Sequence, residues 1–103
     1  MNLKLYGWLI DNARRRHVVT YEDCYRPGRT SRRYIGQQLD AINRHENAEG
    51  RPLLSVICVS KATSQPGAGF WESARQSPAF KPNADQRSFV ASETARVFET
   101  WAP

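Results

Sequence analysis

The strongest chemical signal is a set of polar side chains at helical spacing between residues 33 and 44. Arg33, Gln37, Asp40 and Arg44 recur every three or four residues, which places them on one face of a helix. An arginine guanidinium bridges guanine, and a glutamine amide bridges adenine, with two hydrogen bonds each. The pattern therefore predicts contact with nucleic acid, although Asp40 opposes a polyanion. An ordinary solvated face that keeps the helix soluble is the alternative.

The residues just before this helix suit a phosphate group. Arg29 and Arg32 add positive charge. Thr30 and Ser31 supply hydroxyls at a helix N-terminus, where backbone amides are free. Lys61 lies in a later polar turn that suits a backbone phosphate, and a plain connection is the alternative for that turn. The predicted nucleic-acid-binding residues are Arg29, Thr30, Ser31, Arg32, Arg33, Gln37, Arg44 and Lys61.

No combination of residues predicts catalysis. Cys58 lies in an apolar run, where burial raises the pKa of a thiol, and Cys24 has no histidine near it in sequence. His17 follows three arginines, which disfavour its protonation. The carboxylates are scattered, and the cysteines and histidines do not have zinc-ligand spacing. We therefore expect a non-enzymatic protein without catalytic residues, cofactor or metal; a thiol enzyme that uses either cysteine is the least favoured alternative.

Aromatic residues towards the C-terminus have two interpretations. Phe70, Trp71 and Trp101 are candidates for binding a protein partner through an exposed apolar patch. Packing in the core is the interpretation that their helical spacing favours. If so small a core has no room for the last helix, that helix can instead cover a second copy of the chain in a homodimer.

Periodicity and turn residues predict the elements that position these side chains. Asn2 caps the first helix, Thr20 and Asp23 form the pattern of a capping box, and a Pro27-Gly28 corner follows. Phe70 begins either a return strand or a short helix. In chain order the predicted elements are helices at 3–15, 21–25 and 32–47, a strand at 53–60, a hairpin tip at 61–69 and a helix at 86–101.

This order predicts an α+β fold in one domain, residues 1–103. It is that of a winged helix, with three N-terminal helices, a β-hairpin as the wing and a C-terminal helix. The second and third helices form the helix-turn-helix.

Composition is typical of a small folded protein. The chain has 103 residues, of which 40% are hydrophobic and 24% charged, and its net charge is +5. Ten of the 15 Lys and Arg residues lie at or before Arg51, so the basic character belongs to the N-terminal half. No apolar run approaches the ~18 residues of a membrane helix, and the N-terminus does not have the pattern of a signal peptide. We expect a cytoplasmic protein with reduced cysteines and no membrane contact.

Residues 50–55 (GRPLLS), with the later run 66–70 (PGAGF), resemble a pattern in small bacterial and phage proteins of unassigned function. The resemblance covers most of the chain from Thr20 onward and implies no activity. The residues that extend it are Thr20-Tyr21 before these runs, Val59 and Lys61 between them, and Phe89, Glu93, Val97 and Trp101 after them.

More distantly, the order of elements is similar to the DNA-binding domain of the alkylguanine-DNA alkyltransferases and alkyltransferase-like proteins. There a Thr-Tyr helix start precedes a recognition helix and a strand that bears the active cysteine, near the place of Cys58 here. The family's Pro-Cys-His-Arg is Ile57-Cys58-Val59-Ser60 in this chain, so the groups that activate the thiol are missing. The resemblance implies the winged-helix scaffold and not alkyl transfer.

Two functions follow as expectations. The first is a DNA-binding module that lays the 32–47 helix in the major groove and the 61–69 turn on the backbone. The second is a regulator or inhibitor, of the kind that phages and mobile elements encode, that binds a host protein. The first requires that the arginine-bearing side of the 32–47 helix is open to solvent.

Overall fold

The computed structural model describes residues 1–103 as four α-helices around a two-stranded parallel sheet. The α+β class is therefore confirmed. In chain order the elements are α1 (Leu3–Arg14), β1 (Val19–Thr20), a first 3₁₀-helix (Glu22–Cys24), α2 (Arg32–Ala48), a second 3₁₀-helix (Leu54–Ile57), β2 (Cys58–Val59), α3 (Ala68–Ala74) and α4 (Gln86–Thr100).

Helix α1 begins at a side-chain cap that also ties it to the rest of the fold. The Asn2 carboxamide oxygen accepts a hydrogen bond from the Leu5 amide at 3.0 Å, and its nitrogen donates to the Gly28 carbonyl at 2.8 Å. One turn apart along α1, Leu5, Leu9 and Ala13 are fully buried. This spacing of four residues places the three side chains on a single stripe against the core.

The corner between the first 3₁₀-helix and α2 forms as the sequence predicts. The Thr20 amide donates to Asp23 at 2.9 Å and the Asp23 amide donates to the Thr20 hydroxyl at 3.2 Å, which is a reciprocal capping box with Asp in place of Glu. Gly28 is buried, and a β-carbon there would lie 2.8 Å from the Cys24 carbonyl oxygen. The corner therefore requires glycine because two backbone segments meet without room for a side chain.

The centre of the core is the segment 53–59, in which every residue is buried. Helices α1, α2 and α4 all pack against its 3₁₀-helix. The predicted strand at 53–60 is correct only for Cys58 and Val59, because residues 54–57 wind into the 3₁₀ turn. A continuous apolar run reports burial and does not by itself distinguish a strand from a buried helical turn.

The predicted hairpin is wrong. Strand β2 pairs in parallel with β1, with Val19 opposite Cys58 and Thr20 opposite Val59. After β2 the chain makes a turn in which the Ser60 amide bonds the Gln65 carbonyl at 2.9 Å. Gly67 then takes the N-cap position of α3, so the residues after it form a helix and no strand returns.

Two buried carboxylates hold the loop between α2 and the central segment. Glu46, fully buried on α2, accepts from Arg51 at 2.7 Å and from the Tyr6 hydroxyl at 2.5 Å. Glu93, 1% exposed on α4, accepts from the Leu53 amide at 2.9 Å. Because both oxygens of Glu46 and the inner oxygen of Glu93 are occupied by donors, these charges are satisfied inside the protein.

Candidate nucleic-acid interface

The predicted face of α2 is open to solvent. Arg33, Gln37 and Arg44 are all exposed, while Ile35 and Leu39 on the opposite side are buried. The Arg33 guanidinium lies 5.5 Å from the centre of the Tyr34 ring, a cation–π distance that leaves its hydrogen-bond donors free for a ligand.

Asp40 lies on the same side of α2 and partly neutralises it. Its carboxylate is 3.2 Å from the Arg44 guanidinium and accepts a hydrogen bond from the Ser73 hydroxyl at 2.8 Å. The charge of Arg44 is therefore shared with an acidic neighbour, whereas Arg33 has no ion-pair partner.

The N-terminus of α2 retains unused hydrogen-bonding groups. Ser31 is the N-cap residue, but its side chain makes no capping hydrogen bond. The Thr30 hydroxyl oxygen is buried without a hydrogen-bond partner. Arg29, in a left-handed conformation with φ of 47°, and Arg32 are exposed beside them. The predicted phosphate-contacting residues are thus adjacent, and their donors are not consumed by the fold.

A cleft of about 560 Å³ lies between α2 and the turn that follows β2. One wall is the N-terminal half of α2, from Arg32 through Gly36 to Asn43. The facing wall is formed by residues 60–62, and α3 closes one end with Phe70. Of the predicted site residues, the cleft brings together Arg32, Lys61 and Phe70. The other nucleic-acid-binding candidates, Arg29, Thr30, Ser31, Arg33, Gln37 and Arg44, lie outside its lining.

The floor of the cleft is a buried polar pair. The Asn43 amide nitrogen donates to the Ser55 hydroxyl at 2.6 Å, and the Ser55 backbone amide donates to the Asn43 carboxamide oxygen at 3.2 Å. Asn43 is 2% exposed and Ser55 is 3% exposed, and both line the cleft. The Ser55 hydroxyl oxygen accepts from Asn43, so its own proton can be donated into the cleft.

Tyr21 forms part of the aromatic wall and is fixed by the chain on the other side. Its hydroxyl accepts from the Gly67 amide at 2.7 Å. Burial raises the pKa of Tyr21 above its ordinary value, and the Gly67 hydrogen bond opposes that rise. The phenol therefore stays protonated near neutral pH, and its O–H can donate while its oxygen holds Gly67.

The two cysteines meet beneath the sheet. The sulfur atoms of Cys24 and Cys58 are 3.8 Å apart, both thiols are free, and both residues are fully buried. The hydrogen bond with Cys24, together with burial, raises the pKa of the Cys58 thiol well above its ordinary value. A protonated, buried thiol is a poor nucleophile, so this pair supplies packing and no activated sulfur.

The aromatic candidates for partner binding pack inside the protein. Phe70 is 5% exposed, and its ring centre lies 5.1 Å from that of Trp71, which also packs on Phe80 and Phe89. Trp101 is part-buried in a different cluster, over Tyr6 and Arg51. Phe70, Trp71 and Trp101 therefore do not form one exposed patch, in agreement with the core interpretation of their spacing.

Sequence reasoning missed the residues that make the cleft polar, namely Tyr21, Asn43 and Ser55. They come from three segments that only the tertiary fold joins. No local spacing relates them, because the turn after β1, α2 and the central segment meet through the parallel pairing of β1 with β2.

No group of three or more His, Cys, Asp and Glu side chains comes together as a metal site. None of the helices combines the length and apolar character needed to cross a bilayer. Comparison with protein-family models, curated proteins and solved structures finds no match to this chain.

Proposed function

We propose that this protein is a non-enzymatic nucleic-acid-binding module whose natural ligand is DNA. The observation that supports it is the solvent-open face of α2, where Arg33, Gln37 and Arg44 are exposed and Arg33 has no acidic partner. On the other side of the cleft, Lys61 is exposed and unpaired, so positive groups flank the opening from two elements. The proposal places the protein in the cytoplasm, where its thiols remain reduced.

The scaffold that we infer is winged-helix-like, with α2 in the major groove. The first 3₁₀-helix, the Gly28 corner and α2 supply the helix-turn-helix order. The turn after β2, at residues 60–67, takes the place of the wing, and Lys61 there meets a backbone phosphate. Arg29, Thr30, Ser31 and Arg32 at the start of α2 meet phosphates on the other side of the groove.

The salt dependence of binding tests this proposal. If the five predicted cations each meet one phosphate, the slope of log K against log salt is about −4.5, and affinity falls roughly 500-fold between 50 and 200 mM salt. Fluorescence anisotropy with a labelled 20-base-pair duplex measures that slope. The variant Arg33→Ala/Arg44→Ala loses two charges outside the cleft, so its slope should shrink to about −2.7.

The matched control is Lys81→Ala/Arg87→Ala, which removes two exposed cations from the C-terminal half and leaves the predicted surface intact. We expect it to bind like the wild type. Equal weakening by the two double variants would mean that only net charge matters and would refute the docking on α2. No binding of any duplex at 50 mM salt would refute the function itself.

A specific observation also favours the alternative, a regulator that binds a host protein. Leu3 is 71% exposed and Tyr34 is 45% exposed. The Asn2 side chain joins the start of α1 to Gln38, one turn from Tyr34, at 3.3 Å, so both apolar groups lie at the same end of the molecule. Affinity purification from the host with nuclease treatment separates the two functions. A stoichiometric protein that survives nuclease and is lost in Leu3→Lys/Tyr34→Lys supports the regulator.

A further inference from the structure

The cleft is the feature that the proposed surface contact with a duplex does not use. Only Arg32 and Lys61 belong to both. Its volume of about 560 Å³ lies in the range of small-molecule sites. Its buried floor holds a hydroxyl that accepts a hydrogen bond and donates to no protein group. A polar group buried in this way indicates a ligand with a hydrogen-bond acceptor at the bottom of the cleft.

The walls specify the shape of that ligand. Tyr21, Tyr25 and Phe70 provide aromatic surface, and Ile35 and Leu39 provide aliphatic surface opposite the turn. Aromatic and branched aliphatic side chains favour a flat, unsaturated ring, which stacks on the former and excludes water from the latter. A flat ring with acceptor atoms on its edge matches the floor pair of Asn43 and Ser55.

The rim specifies the charge. Arg32 and Lys61 reach the opening from α2 and from the end of β2, and neither has an ion-pair partner. Two unpaired cations at one opening suit a phosphate, and an exposed carboxylate on Glu22 suits the hydroxyls of a sugar. Asp40, the other acid at the rim, is already paired with Arg44.

We propose that the cleft is a binding site for a free nucleoside monophosphate, with the base on the Asn43–Ser55 floor and the phosphate between Arg32 and Lys61. Because these two cations also serve the proposed duplex contact, the mononucleotide competes with nucleic acid. The ligand site stands on the cleft geometry alone, whereas the competition rests on the proposed function.

Gly36 offers a test that leaves the fold intact. It lines the cleft in the middle of α2, and a β-carbon added there meets no atom within 4 Å. Gly36→Leu therefore fills the cleft while it improves the helix propensity of α2. The matched control is Gly7→Leu, a glycine of α1 outside the cleft whose added β-carbon also meets nothing within 4 Å.

Isothermal titration calorimetry with AMP, GMP, CMP and UMP measures binding, and inorganic phosphate is the comparison ligand. We expect saturable binding of at least one mononucleotide by the wild type and by Gly7→Leu, and none by Gly36→Leu. Lys61→Ala should weaken binding about tenfold through the loss of a charge-assisted hydrogen bond. Lys81→Ala, which removes a cation away from the cleft, should leave binding unchanged. A Gly36→Leu protein that binds like the wild type overturns the site.

The outcomes separate this inference from the proposed function. If inorganic phosphate binds as tightly as every mononucleotide, the cleft does not recognise a base and the inference fails. If no free mononucleotide binds but a single-stranded oligonucleotide does so in a way that Gly36→Leu abolishes, the free ligand is wrong. If mononucleotides bind and no duplex does, the ligand site holds and the nucleic-acid function fails. Displacement of a labelled duplex by the mononucleotide supports competition, and simultaneous binding refutes it.

Discussion

Removal of the buried carboxylate of Glu93 should destabilise the protein far more than removal of its visible ion-pair partner. Glu93 is 1% exposed and accepts two hydrogen bonds, at 2.9 Å from the Leu53 amide and at 2.6 Å from the Arg96 guanidinium. The Arg96 side chain is 46% exposed. Solvent therefore replaces the lost partner of Arg96, but no solvent reaches the buried Leu53 amide.

The magnitude follows from that difference. Glu93→Ala leaves the Leu53 amide without an acceptor, which costs about 1–3 kcal/mol, and loses the packing of two methylene groups, about 1.5 kcal/mol more. Arg96→Ala breaks a half-exposed ion pair, which contributes at most about 1 kcal/mol. Glu93→Gln retains an acceptor for the amide and should lie between the two. The expected order of destabilisation is Glu93→Ala, then Glu93→Gln, then Arg96→Ala.

Urea unfolding followed by circular dichroism measures these differences, with a common slope to show that the unfolded states are alike. A loss of about 3 kcal/mol in a domain of this size lowers the melting temperature by roughly 12 °C or more. If Glu93→Ala and Arg96→Ala were equally stable, the hydrogen bond to Leu53 would contribute nothing, and the proposed clamp on the central segment would be wrong.

Three further changes test other parts of the structure. Gly28→Ala should cost roughly 1–3 kcal/mol in urea unfolding, because its β-carbon would lie 2.8 Å from a backbone oxygen, and an unchanged midpoint would contradict the corner. Because the folded state raises the pKa of Cys58 above its ordinary value of 9.0, the native protein keeps a proton that the unfolded chain releases. Stability is therefore fully present below about pH 9 and falls as pH rises further; Cys58→Ala should flatten the dependence of the urea midpoint between pH 8 and 10.5, and an equal slope would count against the buried thiol. Asp40→Asn frees Arg44 and removes a like charge from the duplex surface, so duplex affinity at 50 mM salt should rise about threefold or more; weaker binding in anisotropy would place the duplex elsewhere.

Local signals predicted the helices well. The cap at Asn2, the capping box of Thr20 and Asp23, and the apolar stripe of α2 depend on residues within a few positions of one another. The structure reproduces the predicted bounds of α1, α2 and α4 to within one residue at each end. Such elements form wherever the local preference and the burial of one face agree.

Non-local features escaped prediction because their signal lies in the pairing of distant segments. The parallel contact of Val19 with Cys58 joins residues 39 positions apart, and a two-residue strand has no alternation to detect. The hairpin was inferred from turn residues at 61–69, which equally suit a helix start after Gly67. A run that is buried all round, such as 53–59, is compatible with either backbone conformation.

The buried acids did leave a signal that sequence reasoning passed over. Glu46 continues the stripe of Ile35, Leu39 and Ile42 at the next helical position, and Glu93 falls between Val90 and Val97 on α4. A charged residue on an apolar stripe must be paired when the helix packs. Both positions therefore indicated a buried acceptor, and in both cases the donors come from the loop that precedes or begins the central segment.

The geometry of α2 explains why a ligand in the cleft and a duplex on the surface cannot act independently. Successive residues of a helix are 100° apart, so neighbours in sequence face different partners. Three neighbouring pairs on α2 have one member in the cleft lining and the next exposed on the predicted duplex face: Arg32 and Arg33, Gly36 and Gln37, and Asn43 and Arg44. A ligand that moved α2 away from the turn by even an ångström would move both members of every pair. Because the core side of the helix is held by Ile42 and the Glu46 clamp, that movement is largest at the N-terminal end, where Arg29 to Arg33 lie. The phosphate-contacting end of the helix is therefore the end that a cleft ligand controls.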